Sequence, residues 1–419
     1  MGTFIQQNLD VEALWVVVPI LCLVVALGIA YLRNHWLEQR RLRPRGVRAR
    51  PDVIRRDLDR MAEYLGGLQE SDAPVWRPFE LGLAAMAACQ WDQAIEHFRK
   101  AQMKASGVQR VPLYIQVGVC HYIQGRPDDA LGDFKKAARL AKLYGDKRGE
   151  AAALGNIGVI RHDCGELGSA LKKLREALAI TRKYGDQHAA APYLANIGNI
   201  YRDKGEPDKA LKFHEDALEI SRGIGDKPGV ASCLDNIGST HCDKDKLGEA
   251  LQHFEEALAV SRETEDRRGM ASCLGKIGSI HHYRGELDEA LMFYEGALAL
   301  EREIGYQVGV ATELGNIGLI LADKGLHAQA VPTLAEALAI LLALGVAHGP
   351  RQALLGLSRC DDRLGRDRMQ ELLKEGGLAD AGIADLLDRV DQTRLKRPWQ
   401  RIGRRVKLAR RRLMAGTSS

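Results

Sequence analysis

Glycine recurs at Gly158, Gly198, Gly238, Gly278 and Gly318, and alanine at Ala170, Ala210, Ala250, Ala290 and Ala330, each 40 residues after the last. A third column, Ala177, Ala217, Ala257, Ala297 and Ala337, keeps the same register. A chain that repeats itself at a period between about 20 and 50 residues is a stack of copies of one supersecondary unit. Each copy is too small to bury its own apolar face and depends on its neighbours. Arrays of this kind generally bind rather than catalyse.

Within one period, Leu154, Ile157 and Ile160, then Leu171, Leu174 and Leu178, fall at spacings of three and four. That is helical periodicity, twice. Between the two runs stands Gly165, repeated as Gly125, Gly205, Gly285 and Gly325, where a helix C-terminus needs a residue that takes positive φ without a Cβ penalty. The unit reads as helix, tight turn, helix. The second helix ends near Gly145, Gly185, Gly225, Gly305 and Gly345, and Asp146, Asp186 and Asp226 follow three of these, suited to capping the next helix. Small residues at Gly158 and Ala170 permit close approach inside a pair.

The pattern Leu154, Gly158, Gly165, Ala170, Leu174, Ala177 resembles the tetratricopeptide repeat, in a 40-residue form rather than the common 34. Six further residues add roughly 9 Å of helix to each unit. Earlier copies are found at Gly118, Gly125, Ala130, Phe134 and Ala137, and at Gly82, Ala94, Phe98 and Ala101. Later, Gly365 keeps the register, but Gln370 and Lys374 replace the expected small or aromatic positions. The expected fold is all-α, a right-handed superhelical solenoid of helix pairs preceded by one transmembrane helix. Seven repeats span 75–345, and a degenerate repeat with capping helices spans 346–391.

In repeats of this family the first helix of each pair lines the concave face, and ligands meet positions two, five, six, nine, twelve and thirteen of the unit. With Ala151 as position one, position six holds Gln116, Asn156, Asn196, Asn236, Lys276 and Asn316. An amide offers a donor and an acceptor together, so a column of them suits the backbone of an extended peptide. Similar arrays in kinesin light chains and in the spindle-orientation adaptor with Leu-Gly-Asn repeats carry groove asparagines that hold peptides. The resemblance transfers that role to Asn156, Asn196, Asn236 and Asn316, with Lys276 departing from it. Position thirteen holds Asp163, Asp203, Asp243, Tyr283 and Asp323, and Asn199 and Arg202 add polar points between the columns. The carboxylates would favour Lys or Arg on a ligand. The plainer readings are that Asn tolerates a helix crevice and that the Asp side chains are simply solvated, although an acid near a helix C-terminus is unfavourable by about 0.3 to 1 kcal/mol.

Residues 13–32, ALWVVVPILCLVVALGIAYL, carry no charge over 20 positions, the length needed to cross a hydrocarbon core. A cleaved signal peptide competes, but no Lys or Arg precedes the apolar run and no small-x-small site follows it before Arg33. Residues 1–12 hold Asp10 and Glu12, whereas 33–60 hold ten Arg against four acids. The positive-inside rule then leaves 1–12 outside as a short extracytoplasmic N-terminus and the repeats in the cytoplasm, with 33–74 as a basic juxtamembrane linker. Eight cysteines without a C-x-x-C pair fit reduced thiols. The layout is similar to that of the lipopolysaccharide assembly protein B family, regulators that present partners to a membrane protease. This chain lacks the paired C-x-x-C motifs of their metal knuckle.

The formal net charge of the 419 residues is +5, but it is distributed unevenly. The tail 392–419 has ten cationic residues and no acid, which leaves the repeat span acidic between basic flanks. In the tail, Trp399, Ile402, Val406 and Leu413 form one helical stripe among Arg401, Arg404, Arg405, Lys407, Arg410, Arg411 and Arg412. A basic amphipathic helix suits an anionic membrane surface. Nucleic acid competes, since the same cations neutralise phosphates, and a solvated basic tail is the plain alternative.

No phosphate-cradling G-x-x-x-x-G-K-[ST] loop, no H-E-x-x-H and no strand-turn-helix setting for a nucleophile occurs. His121, His241 and His281 share one repeat position, which reads as helix packing rather than ligation of a metal. The sequence therefore leads to a non-enzymatic, membrane-anchored adaptor without cofactor or metal. Its concave face takes an extended, basic segment of a partner protein. The alternative is a regulatory subunit of a membrane enzyme or secretion complex that acts through its outer faces and tail.

Overall fold

In the computed structural model the residues described are 73–88, 90–345, 350–376 and 382–392. They are helical throughout apart from turns, with no strand among them. The transmembrane expectation at 13–32, the Arg-rich linker and the tail from Trp399 to Arg412 lie outside the described residues. Among those described, no helix is long and apolar enough to cross a membrane.

The chain divides into two compact units at Gly185/Asp186. The first contains α1 (Ala73–Ala87), α2 (Trp91–Lys104), a short 3-10 turn (Gly107–Gln109), α3 (Arg110–Ile123), α4 (Pro127–Tyr144), α5 (Lys147–Asp163) and α6 (Leu167–Lys183). The second contains α7 (Gln187–Asp203), α8 (Pro207–Gly223), α9 (Lys227–Asp243), α10 (Leu247–Glu263), α11 (Arg267–Arg284), α12 (Leu287–Ile304), α13 (Gln307–Asp323) and α14 (His327–Ala343). It continues with α15 (Pro350–Leu364), α16 (Arg366–Glu375) and a last helix, α17, at 382–392. Helices pair as expected, odd with even, and each even helix packs on the next odd one within its unit. Consecutive odd helices also touch: α3 with α5 in the first unit, and α7 with α9, α9 with α11, and α13 with α15 in the second.

The glycine column explains the tight pairing. A Cβ at Gly238 would stand 2.7 Å from the Phe254 ring, and one at Gly158 would stand 2.7 Å from Leu174 Cγ. Each odd helix therefore gives up a side chain so that a large knob of its partner can seat against bare backbone. The alanine columns are fully buried beside these knobs. A buried Phe, Leu or Tyr contributes about 1.5 to 3 kcal/mol, so the repeated knobs supply much of the cohesion of each pair.

The turns follow the expected chemistry with two exceptions. Gly165 has φ of +78°, and the Glu166 amide beyond it donates to Arg161 O at 2.8 Å, closing the helix end. At the two places where the register lacks glycine, Asp245 and Glu265 take the same left-handed conformation, with φ of +61° and +52°. Packing imposes this turn even where the residue resists it, at a cost of roughly 1 to 2 kcal/mol each. The Asp caps form: Asp146, Asp186 and Asp226 accept from the amides of Gly149, Ala189 and Gly229 at 2.9 to 3.1 Å. Asp266 adds a fourth, accepting from Gly269 at 3.0 Å.

Past α14 the register slips. Gln370 and Lys374 do not enter the core; Met369 and Leu373, one residue earlier, are fully buried. They join Leu357 and Cys360 of α15 and Leu386 and Val390 of α17 in the apolar cluster that extends from α12–α14.

Candidate functional site

The odd helices carry the candidate columns, whose members differ in how far they reach the surface. Asn156, Asn196, Lys276 and Asn316 are half-buried, whereas Gln116 and Asn236 are only 2% and 5% exposed. Asn156 Nδ2 donates to Ala152 O of its own helix at 3.1 Å. Asn316 Nδ2 donates to Glu313 Oε2 at 3.2 Å. Each uses one of its two amide hydrogens internally and keeps its carbonyl oxygen for a ligand. Lys276 pairs with Asp235 on α9 and lies 5.5 Å above the Phe254 ring, so its ammonium bridges two repeats.

Asn199 differs from the others. Its Oδ1 is buried and has no hydrogen-bond partner among the described residues. Leaving an acceptor in that state costs about 1 to 3 kcal/mol, an expense that a ligand N–H would remove.

The acidic column is already engaged within each unit. In the first, Asp163 accepts from the Tyr122 hydroxyl; burial, then the Asp163 carboxylate, push that phenol far above its ordinary pKa. In the second, Arg202 reaches Asp243 at 3.7 Å, His282 Nε2 meets Asp323 at 3.0 Å, and Arg359 meets it at 3.1 Å. Position twelve of one repeat thus bonds to position thirteen of the next. Asp203 likewise has an interaction of its own. These exposed pairs contribute little to stability, about 0 to 1 kcal/mol each, and hold the edges of the odd helices in register.

The histidine column packs as its spacing suggested. His241 stacks on His253 with ring centres 5.4 Å apart, and His281 stacks on Phe293 at 5.1 Å. His121 Nδ1 instead lies 2.9 Å from Asp133 Oδ2. The buried thiols of Cys120 and Cys273 are pushed up to about 12 by burial, which makes them poor nucleophiles.

Two residues of this region escaped the sequence reading. His214 occupies the knob position against Gly198, where neighbouring pairs have Leu174 and Phe254. It is fully buried, neither ring nitrogen has a partner among the described residues, and burial, reinforced by Arg202 and opposed by Asp235, lowers its pKa to about 4. Glu313 occupies position three, which is Cys233 and Cys273 in the two preceding copies. It is 8% exposed, and burial raises its pKa to about 7, opposed by the Asn316 hydrogen bond and helped by the Glu301 charge. Both anomalies were visible across the copies, as polar letters in apolar columns.

Comparison with known proteins fits this geometry. Residues 110–183, 149–223, 187–263, 230–303 and 269–343 match the profile described as Tetratricopeptide repeat, and together they cover more than half of the chain. No curated protein matches the chain. Among solved structures, a Rap protein complexed with competence and sporulation factor is 15% identical over 87% of this chain and 99% of its own, with a TM-score of 0.56. Aspartyl phosphate phosphatase F from Bacillus subtilis is 14% identical over 82% of this chain and 89% of its own, with a TM-score of 0.54. The apo form of RapI is 14% identical over 72% and 85%, with a TM-score of 0.54. At these identities the likeness is one of fold.

Proposed function

Because the chain belongs to the tetratricopeptide repeat family, a family of protein-interaction scaffolds, we propose that it is an adaptor that captures an extended segment of a partner protein along its odd helices and holds it at the cytoplasmic face of a membrane. The observation that carries this reading is the buried, unpartnered Oδ1 of Asn199. It stands on the same helix as Asn196 and Arg202, and the half-buried Asn199 side chain turns outward in this reading to present it to a chain laid across that face. Backbone N–H groups of an extended segment are the natural donors for such a carbonyl and for the Oδ1 atom of Asn316 in the same unit.

Membrane attachment rests on the uncharged run 13–32 and the Arg-rich stretch that follows it. Tethering raises the concentration of a captured partner near other membrane proteins, to about millimolar for a short linker. The basic tail with Trp399 adds a second contact with anionic lipid in this reading. The work done is positioning.

Capture is tested by crosslinked recovery of partners from membranes with the wild type and with Asn199→Leu. The reading expects the variant to lose partners while its folded state becomes equally or more stable, since a buried orphan acceptor is removed. Unchanged recovery would defeat the groove assignment. Alkaline extraction of membranes checks the anchor: the chain should stay in the pellet, and deletion of residues 13–32 should release it.

A further inference from the structure

Position three of the unit is a packing position between successive odd helices, and the other copies hold Leu113, Ala153, Tyr193, Cys233 and Cys273. Glu313 breaks the column with a carboxyl that is 8% exposed. Room for it exists because α11 has no side chain opposite: a Cβ at Gly275 would lie 2.9 Å from Glu313 Oε1. Gly275 is half-buried, so the carboxyl lies against bare backbone near the surface of the odd helices. Asn316 fixes its orientation by donating to Oε2 at 3.2 Å.

The other acids of this face have cations. Asp235 has Lys276, Asp243 has Arg202, and Asp323 has His282 and Arg359. Among the described residues no cation lies within ion-pair distance of Glu313, and the nearby charge from α12 is the like-signed Glu301. Burying a carboxylate without a partner is costly, so a carboxyl in that position holds its proton to a higher pH than a solvated one, and a cation joining it favours the charged form.

We propose that Glu313, given room by Gly275 and aligned by Asn316, selects a Lys or Arg side chain in the segment captured on the odd helices of the second unit. This specificity rests on the groove reading above. The incoming ammonium or guanidinium donates to Oε1 in a charge-assisted hydrogen bond, and the carboxyl releases its proton to solvent as the cation takes its place. Gly275 leaves room for the long side chain, and Asn316 keeps Oε2 from turning away. Tyr294 of α12, whose hydroxyl donates to Ser279 at 3.0 Å, leaves the carboxyl uncontested on that side.

The test uses the full-length protein and two fluorescent decapeptides, one alternating alanine with lysine and one alternating alanine with norleucine. Anisotropy titrations are run at neutral pH with wild type, Glu313→Gln and the exposed control Glu295→Gln. The lysine peptide should bind about tenfold more tightly than the norleucine peptide. Glu313→Gln should erase that preference and Glu295→Gln should leave it. Calorimetry of the wild type in two buffers of different ionisation enthalpy should show proton release with the lysine peptide alone, a readout independent of how any variant folds. Equal binding of both peptides by the wild type would overturn the assignment and leave the groove reading standing. A preference that survives Glu313→Gln would also overturn it, and absence of binding by either peptide at millimolar concentration would overturn both readings.

Discussion

Two stretches of the second unit, 221–269 and 294–323, share one backbone plan and differ in where they keep polar groups. In the first, the helix start is capped by its own Asp, Asp226 or Asp266, with the small Ser221 or Ser261 packed beside Gly229 or Gly269. In the second, the cap position is Tyr306, which makes no side-chain cap. The place of the small serine is taken by Glu301, whose Cδ would be 2.4 Å from a Cβ at Gly309. A carboxylate still sits at the helix N-terminus, where backbone N–H groups favour it, but it arrives from the preceding helix and is buried. Glu313 lies close to it, and Tyr294 replaces Phe254 as the knob. The scaffold tolerates relocation of charge provided a glycine opposite makes room, so departures from the repeat mark the positions free to acquire specificity.

Titration separates the two chemistries most strongly. The folded pKa of Glu313, about 7, is raised above its ordinary 4.5, so its contribution to stability is present below pH 4.5 and is lost as pH rises to about 7. His214 works oppositely: its folded value of about 4 lies below the ordinary 6.5, so stability is present above pH 6.5 and is lost as pH falls towards 4. Urea denaturation should therefore find Glu313→Gln gaining on the wild type as pH rises from 4 to 8, and His214→Phe gaining as pH falls from 7 to 4. Each gain should be roughly 3 kcal/mol. A flat difference for either variant would remove that group from the account.

A smaller contrast concerns the knobs. A Cβ at Gly238 would be 2.7 Å from Phe254, but one at Gly278 would be no closer than 3.1 Å to Tyr294. Gly238→Ala should cost about 2 to 3 kcal/mol and Gly278→Ala about 1 kcal/mol or less; equal costs would mean that the second stretch packs as tightly as the first. Asp266→Ala should cost about 1 kcal/mol. Restoring the standard cap with Tyr306→Asp should gain a similar amount only when Glu301→Ser is made with it, because two carboxylates at one helix start repel. Glu265→Gly, which relieves a left-handed non-glycine residue, should stabilise by a similar amount, about 1 kcal/mol.

The repeat, the helix pairs, the capping Asp residues and the packing role of the histidine column were legible because each is a local rule copied many times. Where copying stops, the sequence misleads: Gln370 and Lys374 fall on the 40-residue register, yet Met369 and Leu373 fill the core because burial outweighs register. The columns of position six and position thirteen were legible as lists of residues but not as a surface. Gln116 and Asn236 are buried by their neighbours, and cross-repeat partners occupy Asp163, Asp243 and Asp323. Glu313 depends on Gly275, a contact between residues 38 positions apart, which no pattern along the chain could announce.

The claim on which the rest depends is that partners lie along the odd helices. Photo-crosslinking from a benzophenone amino acid at Asn196 and at Asn316, compared with Glu219 and Glu295 on the exposed faces of even helices, measures it directly. The account predicts a partner crosslinked from both odd-helix positions and from neither even-helix position; equal crosslinking from the even helices, or crosslinking from them alone, would contradict it.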